Sequence, residues 1–264
     1  MNVMKYWKMA FLLLKQNLLR ELSFRGNFFL SIGTNLLWLL VSIIFFGAIY
    51  LHVPSIGGWT MEEILLLVSI SEIVHLMYKG LLGQGVARIP NLIRTGQLDH
   101  LLLKPIDSQF LVSLNRVDYH SLISLISPLL LLVYSAKKLD VSLDISQTGA
   151  FLLLLFVGVF VLYSVGLFIV SLAFWLTQVY ALYALFQEIF ALSSYPESIF
   201  HGALRMFFTI IVPVIVIANY PTLTVIGKDI EYLWLFVIFV SCLWGWGARW
   251  MWIYGMKHYA SASS

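Results

Sequence analysis

The sequence predicts an all-α, polytopic membrane protein, and three observations carry that prediction. First, 61% of the 264 residues are hydrophobic and only 11% are charged, whereas a soluble domain keeps about a quarter of its residues charged. Too little charge remains to cover a water-facing surface, so most of the surface must face lipid. Second, the apolar residues fall into long runs, several reaching the roughly 20 residues that a helix needs to cross a hydrocarbon core about 30 Å thick. Third, the cations are distributed unevenly between those runs, as orientation in a bilayer requires. The chain reads as one transmembrane domain over residues 1–264, with six spans, an interfacial N-terminal helix and a re-entrant hairpin before the last span.

Residues 1–26 come first. Trp7, Phe11, Leu14, Leu18 and Leu22 fall at spacings of four, three, four and four, which is one helical face, with Lys5, Lys8 and Arg20 off that stripe. Such a helix lies along the interface, apolar side in lipid and cations toward headgroups. The alternative, an extension of the first span, has to accommodate Lys15 and Arg25 as well. The segment shows no small-residue cleavage pattern after an apolar core, so no signal peptide is expected.

Phe28 to Leu51 is a charge-free first span. The second runs from Ile64 to about Tyr78, entered through Glu62 and Glu63 and left at Lys79 and the cluster Gly80, Gly83, Gly85. A polar interval, 84–115, follows. Tyr119 to Ser135 is the third span, with Pro128 inside it, and Gln147 to Phe174 the fourth. Gln178 to Tyr195 is expected as the fifth, and Glu231 to about Ile253 as the last. Between these two, 196–228 contains an apolar run broken by Pro213, Asn219 and Pro221, which suits a hairpin that dips into the membrane and returns.

Charge supports this layout. With six spans and both termini cytoplasmic, the inner side holds Lys5, Lys8, Lys15, Arg20, Arg25, Lys79, Arg88, Arg94, Lys104, Arg116, Arg249 and Lys257. The outer side holds Lys137, Lys138, Arg205 and Lys228, giving twelve against four of the 16 cations. Making the hairpin a seventh span would place Arg249 and Lys257 outside, a poorer distribution. No repeat relates the two halves, so the inverted-repeat signature of many secondary transporters is missing.

Several chemistries lack their residues. No G-x-x-x-x-G-K-[ST] loop is present to cradle phosphates, and neither H-E-x-x-H nor G-x-S-x-G occurs. The single cysteine, Cys242, cannot form an internal disulfide. No catalytic residue, bound cofactor or metal is therefore expected of this chain, and no nucleic-acid partner.

Polar residues inside the spans are the first candidates for function. Glu72 and His75 share a helical face at i and i+3, and Gln187 and Glu188 lie midway along the expected fifth span. A charged side chain at the bilayer centre costs about 2.5–3.5 kcal/mol on insertion scales, so such groups face a partner or a cavity. They are candidates for a substrate path or gate; the competing reading is a pair that only fixes helix packing. Ser31, Thr34, Asn35 and Ser42 are expected at a helix–helix contact, and Trp234, Trp244, Trp246, Trp250 and Trp252 mostly as interface anchors.

The second candidate is the polar interval itself. Around "IRTGQLDHLLLKP", Ile93 to Pro105, a short helix-like stretch is interrupted at Gly96 and closed by Lys104 and Pro105. It is too short to span and too apolar for a solvated loop, so it needs a surface to rest on: headgroups or a protein. Here the sequence resembles a known family. Ile93, Arg94, Gly96, Leu98, Asp99, Leu101, Leu102, Lys104 and Pro105 form a pattern similar to the cytoplasmic loop of one branch of the ABC-2 permeases. "YPESIFHGALR", Tyr195 to Arg205, followed by Pro213 and Pro221, is similar to the segment that opens their outer hairpin.

The resemblance implies the membrane subunit of an ABC exporter in the plasma (inner) membrane. Its cytoplasmic loop, with Leu92 and the residues just named, would dock as a coupling helix on a separate ATPase that binds ATP and Mg. Leu98, Leu101 and Leu102 would fill a groove, Arg94 and Asp99 would fix orientation at its rim, and Gly96 and Pro105 would set the exits. It also implies a second permease, the same chain or a related one, to enclose the path. An ATP-independent secondary transporter or channel is the alternative from another class.

Overall fold

The computed structural model describes residues 3–22, 25–142, 144–228 and 233–259, and among them the apolar runs are helices and no strand forms. Glu231, the expected start of the last span, lies outside the described residues, as do the side chains of Lys5, Trp7, Lys8, Arg20, Leu22, Arg25 and Trp234.

The N-terminal helix α1 (Val3–Leu22) forms as expected. Phe11, Leu14 and Leu18 of the predicted stripe are exposed, while Leu13 and Asn17 are buried. The stripe therefore points away from the protein, as an interfacial helix requires. Tyr119 holds the helix in place by donating to the Leu14 carbonyl at 2.8 Å.

The first span is α2 (Arg25–Tyr50), with most of its surface exposed. Behind it stands α3 (Met61–Tyr78), the most buried of the long helices. Its start is fixed by a capping box: Thr60 accepts from the Glu63 N–H at 3.3 Å, and Glu63 accepts from the Thr60 N–H at 2.8 Å. The expected exit at Lys79 does not occur. A π turn, Lys79–Gly83, carries the helix into α4 (Gln84–Ala87) and α5 (Ile89–Arg94), so an apolar rod of 34 residues runs from Met61 to Arg94. The glycines that looked like a stop are positions of close approach. A Cβ on Gly80 would strike Leu122, and one on Gly85 would strike the Ser113 carbonyl. The interval 84–115 is thus helical to Arg94 and continues as α6 (Leu98–Leu102) and α7 (Ser108–Leu114).

The third span pairs α8 (Tyr119–Ser124) with α9 (Ile126–Lys138). Pro128 stands in the first turn of α9, where a missing N–H removes no intrahelical bond. The longest helix, α10 (Ile145–Ser171), opens on a second capping box between Asp144 and Gln147 and ends in a 3-10 turn to Phe174. The expected fifth span is α11 (Val179–Ala191), whose 13 residues are fewer than the roughly 20 of a full crossing. Among the described residues, five helices can cross a membrane by length and composition, or six if one bent pair counts as a span.

That pair consists of α12 (Gly202–Met206) with the π turn Phe207–Ile211, and α13 (Val214–Val225), bent by 95°. Its two ends meet the same loop. A Cβ on Gly57 would land on Ser198, and Lys228 lies 3.4 Å from Glu63 and 5.1 Å from the centroid of the Trp59 ring. At its inner turn the Ile210 carbonyl accepts from Trp244 at 3.1 Å. The chain therefore enters and leaves at one end, as a re-entrant hairpin does. The crossing between Val179 and Ser198 falls to α11, lengthened by the 3-10 turn Leu192–Ser194 and the extended backbone of Tyr195 and Pro196. The last helix is α14 (Leu233–His258).

Two apolar clusters hold the helices together. The larger is centred on α3, α10 and α13, and every residue from Val214 to Val225 is buried. Pro221 cannot bond the Ile217 carbonyl, and Gly158 packs directly on that oxygen. The smaller cluster joins Val86, Ile89, Leu92, Leu98 and Val112 to Leu167, Val170 and Trp252 at the opposite end of the molecule. The expected role of the tryptophans needs correction at two positions: Trp252 is buried in this cluster and Trp244 is bonded to the hairpin, while Trp246 and Trp250 are exposed.

Candidate functional site

A cleft of about 780 Å³ opens between α2, α3 and α11. Glu72 and His75 reach it from α3, Gln187 and Glu188 from α11, so all four polar candidates share one cavity. The aromatic walls are Trp38, Phe45 and Phe46 of α2, with Tyr78, Tyr183 and Tyr195.

The four residues do different work. His75 Nε2 lies 3.1 Å from the Phe190 carbonyl and 3.1 Å from the Ser193 hydroxyl. Since a carbonyl only accepts, Nε2 carries the proton. With the Ser71–Ser193 contact at 2.7 Å and Ser194 donating to Ser71 at 3.1 Å, it forms a polar seam between α3 and the end of α11. His75 thus fixes packing. Glu72, one turn away, has no hydrogen bond or ion pair among the described residues and faces the cleft. Gln187 is half-buried and Glu188 exposed on the facing wall.

Sequence reasoning missed the rest of the lining. Lys79 lies seven residues beyond Glu72, on the same helical face, and donates to Asn35 Oδ1 at 3.3 Å; Asn35 Nδ2 in turn donates to Ser124 at 3.0 Å. Tyr78 and Tyr183 join their hydroxyls at 3.0 Å across the cleft floor. The i, i+7 spacing could have found Lys79; Asn35 was expected only at a helix–helix contact, which its bond to Ser124 makes, and Tyr183 carries no such signal.

At the far end lies the segment between α5 and α7. Gly96 turns the chain with φ of 69°, a left-handed conformation suited to glycine. The expectation that Leu98 fills a partner's groove is corrected here. Leu98 is 0% exposed and Leu92 is 3% exposed, both inside the smaller apolar cluster. They anchor the segment to its own membrane domain. Ile93, Leu101 and Leu102 are partly buried against the same cluster. Among the apolar side chains of this turn, Leu103 stands out at 82% exposed, with Arg94, His100 and Pro105 also exposed around it.

A polar lock fastens this segment to the last span. Asp107 caps α7 by accepting from the Phe110 N–H at 3.1 Å. Its carboxylate also receives Arg249 in a two-pronged pair at 2.7 and 3.2 Å. Arg249 further donates to Gln109 at 2.8 Å, Gln109 to Tyr163 at 2.9 Å, and Trp252 to Ser108 at 3.1 Å. Partial burial pushes the Asp107 carboxyl up, but Arg249 and the backbone N–H groups of α7 outweigh it and hold it below the usual range. Arg249 and Asp107 are 142 residues apart, which no local pattern could reveal.

Among the described residues no group of three or more His, Cys, Asp or Glu gathers closely enough to hold a metal ion. No curated protein and no solved structure matches the chain. A family model described as "ABC-2 family transporter protein" matches residues 36–263, which takes in the cleft, the locked segment and the hairpin. A match over most of the chain settles the family: this membrane-spanning chain belongs to the ABC-2 transporters.

Proposed function

We propose that this chain is the permease subunit of an ATP-driven exporter, coupled to a separate ATPase that binds the ATP and Mg. The observation that carries the reading is the family match over residues 36–263. The turn from Arg94 to Pro105 is the docking site for the ATPase. Leu103 supplies the apolar contact, while Arg94, His100 and the partly buried Asp99, Leu101, Leu102 and Lys104 surround it. Leu92 and Leu98 act from behind, by tying the turn to α5, α7 and α14. The cleft bearing Glu72, Gln187 and Glu188 is part of the substrate path. A second permease, the same or related, completes that path along the exposed face of α2. The Arg94 end and both termini lie in the cytoplasm, at the plasma (inner) membrane, in keeping with the twelve-to-four distribution of cations.

The test is Leu103→Asp. Burying a leucine is worth about 1.5–3 kcal/mol, enough at the centre of an interface to act as a hot spot, and an unpaired carboxylate there adds a desolvation penalty. The variant should insert and purify normally but lose its ATPase on extraction, with ATP-driven transport lost alongside. Lys137→Asp, at the other end of the molecule, should do neither. Recovery of the ATPase at wild-type yield with Leu103→Asp would return the turn to the headgroups.

A further inference from the structure

We propose that the cleft between α2, α3 and α11 binds an amphipathic organic cation, with Glu72 as its counter-charge and the aromatic walls as its apolar bed. The inference rests on the cleft being part of the substrate path and names the class of molecule it selects.

Charge is the first argument. Glu72 faces the cleft with no hydrogen bond or ion pair among the described residues. Lys79, two helical turns along the same face, acts on Glu72 only through space, because its ammonium donates to Asn35 at 3.3 Å. Its neighbour His75 is committed to Phe190 and Ser193. Glu188 adds a second carboxylate on the facing wall. The cleft therefore holds two carboxylates against one engaged ammonium, and the deeper carboxylate has no hydrogen-bonded partner among the described residues. A carboxylate at such depth calls for a counter-charge, and a ligand can bring it.

Shape and surface are the second argument. A volume of about 780 Å³ falls within the range of small-molecule sites, roughly 300–1,000 Å³. Six aromatic side chains line it: Trp38, Phe45, Phe46, Tyr78, Tyr183 and Tyr195. Aromatic faces attract cations and repel anions, most strongly where water is excluded. Trp38 of α2 lines the cleft with its ring exposed, so the ring is open to a ligand there. The aromatic faces favour a lipophilic cation, which can rest on them, over a strongly hydrated one that would have to keep its water shell. Lys79, held at the far end, disfavours a second positive charge, which points to monocations.

The experiment uses two probes of the same shape and opposite charge, tetraphenylphosphonium and tetraphenylborate. Binding is measured to the full-length protein in neutral-lipid nanodiscs, without ATPase. Tetraphenylphosphonium should bind saturably, and Glu72→Gln should weaken it about tenfold or more, equivalent to ~1.4 kcal/mol. Glu72→Asp keeps the charge and should lose much less, so the comparison stands even if glutamine is poorly tolerated. Trp38→Leu should weaken binding with Glu72 intact. Tetraphenylborate should neither bind saturably nor compete. Equal affinity for both probes, or unchanged phosphonium binding in Glu72→Gln, would overturn the assignment. Because no ATPase is present, loss of the coupling role at Leu103 would leave this measurement untouched, and a failure here would leave the coupling role standing.

Discussion

At Asp107 one carboxylate does two jobs that can be separated by substitution. It caps α7 through the Phe110 N–H and it pairs with Arg249. Asparagine caps a helix about as well as aspartate but cannot form the ion pair. Asp107→Asn should therefore lower stability by only about 0.2–1 kcal/mol, because the pair is partly exposed. Asp107→Ala should lose a further ~0.5–2 kcal/mol with the cap. The pair also predicts a pH effect. Its folded-state value lies below the ordinary 3.8, so its contribution is fully present above 3.8 and disappears as pH falls through the lower folded value. Unfolding midpoints measured down that window should fall less steeply in Asp107→Asn than in wild type; parallel curves would mean that Arg249 contributes nothing. Glycines offer a second contrast. A methyl on Gly85 meets the Ser113 carbonyl, a backbone atom that cannot swing aside, whereas one on Gly247 meets nothing within 4 Å. Gly85→Ala should destabilise by about 1–3 kcal/mol through overpacking, while Gly247→Ala should be neutral or stabilise by up to ~1 kcal/mol. Equal melting temperatures for the two would show that α7 is free to shift.

Among the elements, the re-entrant hairpin depends on one side chain. Asn219 is fully buried on α13, donating to the Tyr195 carbonyl at 3.1 Å and accepting from the Glu197 N–H at 2.7 Å. Asn219→Leu keeps the bulk and abandons both backbone groups, at about 1–3 kcal/mol for each left buried and unsatisfied. Amide exchange at residues 195–200 should speed up selectively, with α10 unaffected; unchanged exchange there would remove Asn219 from the account. Such elements differ in how far the sequence disclosed them. The spans α2 and α10 were legible because an uninterrupted apolar run has no alternative to crossing lipid. The hairpin was legible because Pro213 and Pro221 interrupt such a run. The passage through Lys79 was not, since glycines signal a stop unless something packs against them, and that something, Leu122 and Ser113, lies far along the chain. Leu98 was expected to face outward, and it does not, for the same reason: which leucine of "LDHLLL" turns inward depends on Val86, Val112 and Trp252. The polar residues of the cleft were found from their cost in lipid, but their division into a packing histidine and an unpartnered glutamate required the position of α11.

For the whole molecule, the decisive question is whether the chain between α11 and α14 turns back or passes through. The contacts answer it by bringing both ends of the hairpin to the loop before α3, through Ser198 beside Gly57 and Lys228 beside Glu63. The lock between Asp107 and Arg249 places the second half of α14 at the opposite end, with α5, α6 and α7. The middle of α1 joins them there, where Tyr119 donates to the Leu14 carbonyl, and Phe174 packs on Tyr259 just after α14. This arrangement collects Lys137, Arg205 and Lys228 at one end and Arg88, Arg94, Lys104, Arg249 and Lys257 at the other. Single cysteines in a Cys242→Ser background, probed with an impermeant thiol reagent on intact and on permeabilised cells, test it directly. Positions 137, 201 and 228 should label together from one side, and positions 94 and 103 only from the other. The pair 201 and 228 discriminates best, because His201 precedes α12 and Lys228 follows α13. A hairpin that dips and returns leaves both on one surface. A bent pair that crossed the bilayer would put them on opposite surfaces, reverse the orientation of α14 and break the contact between Arg249 and Asp107, so opposite labelling of 201 and 228 is the result that this architecture cannot survive.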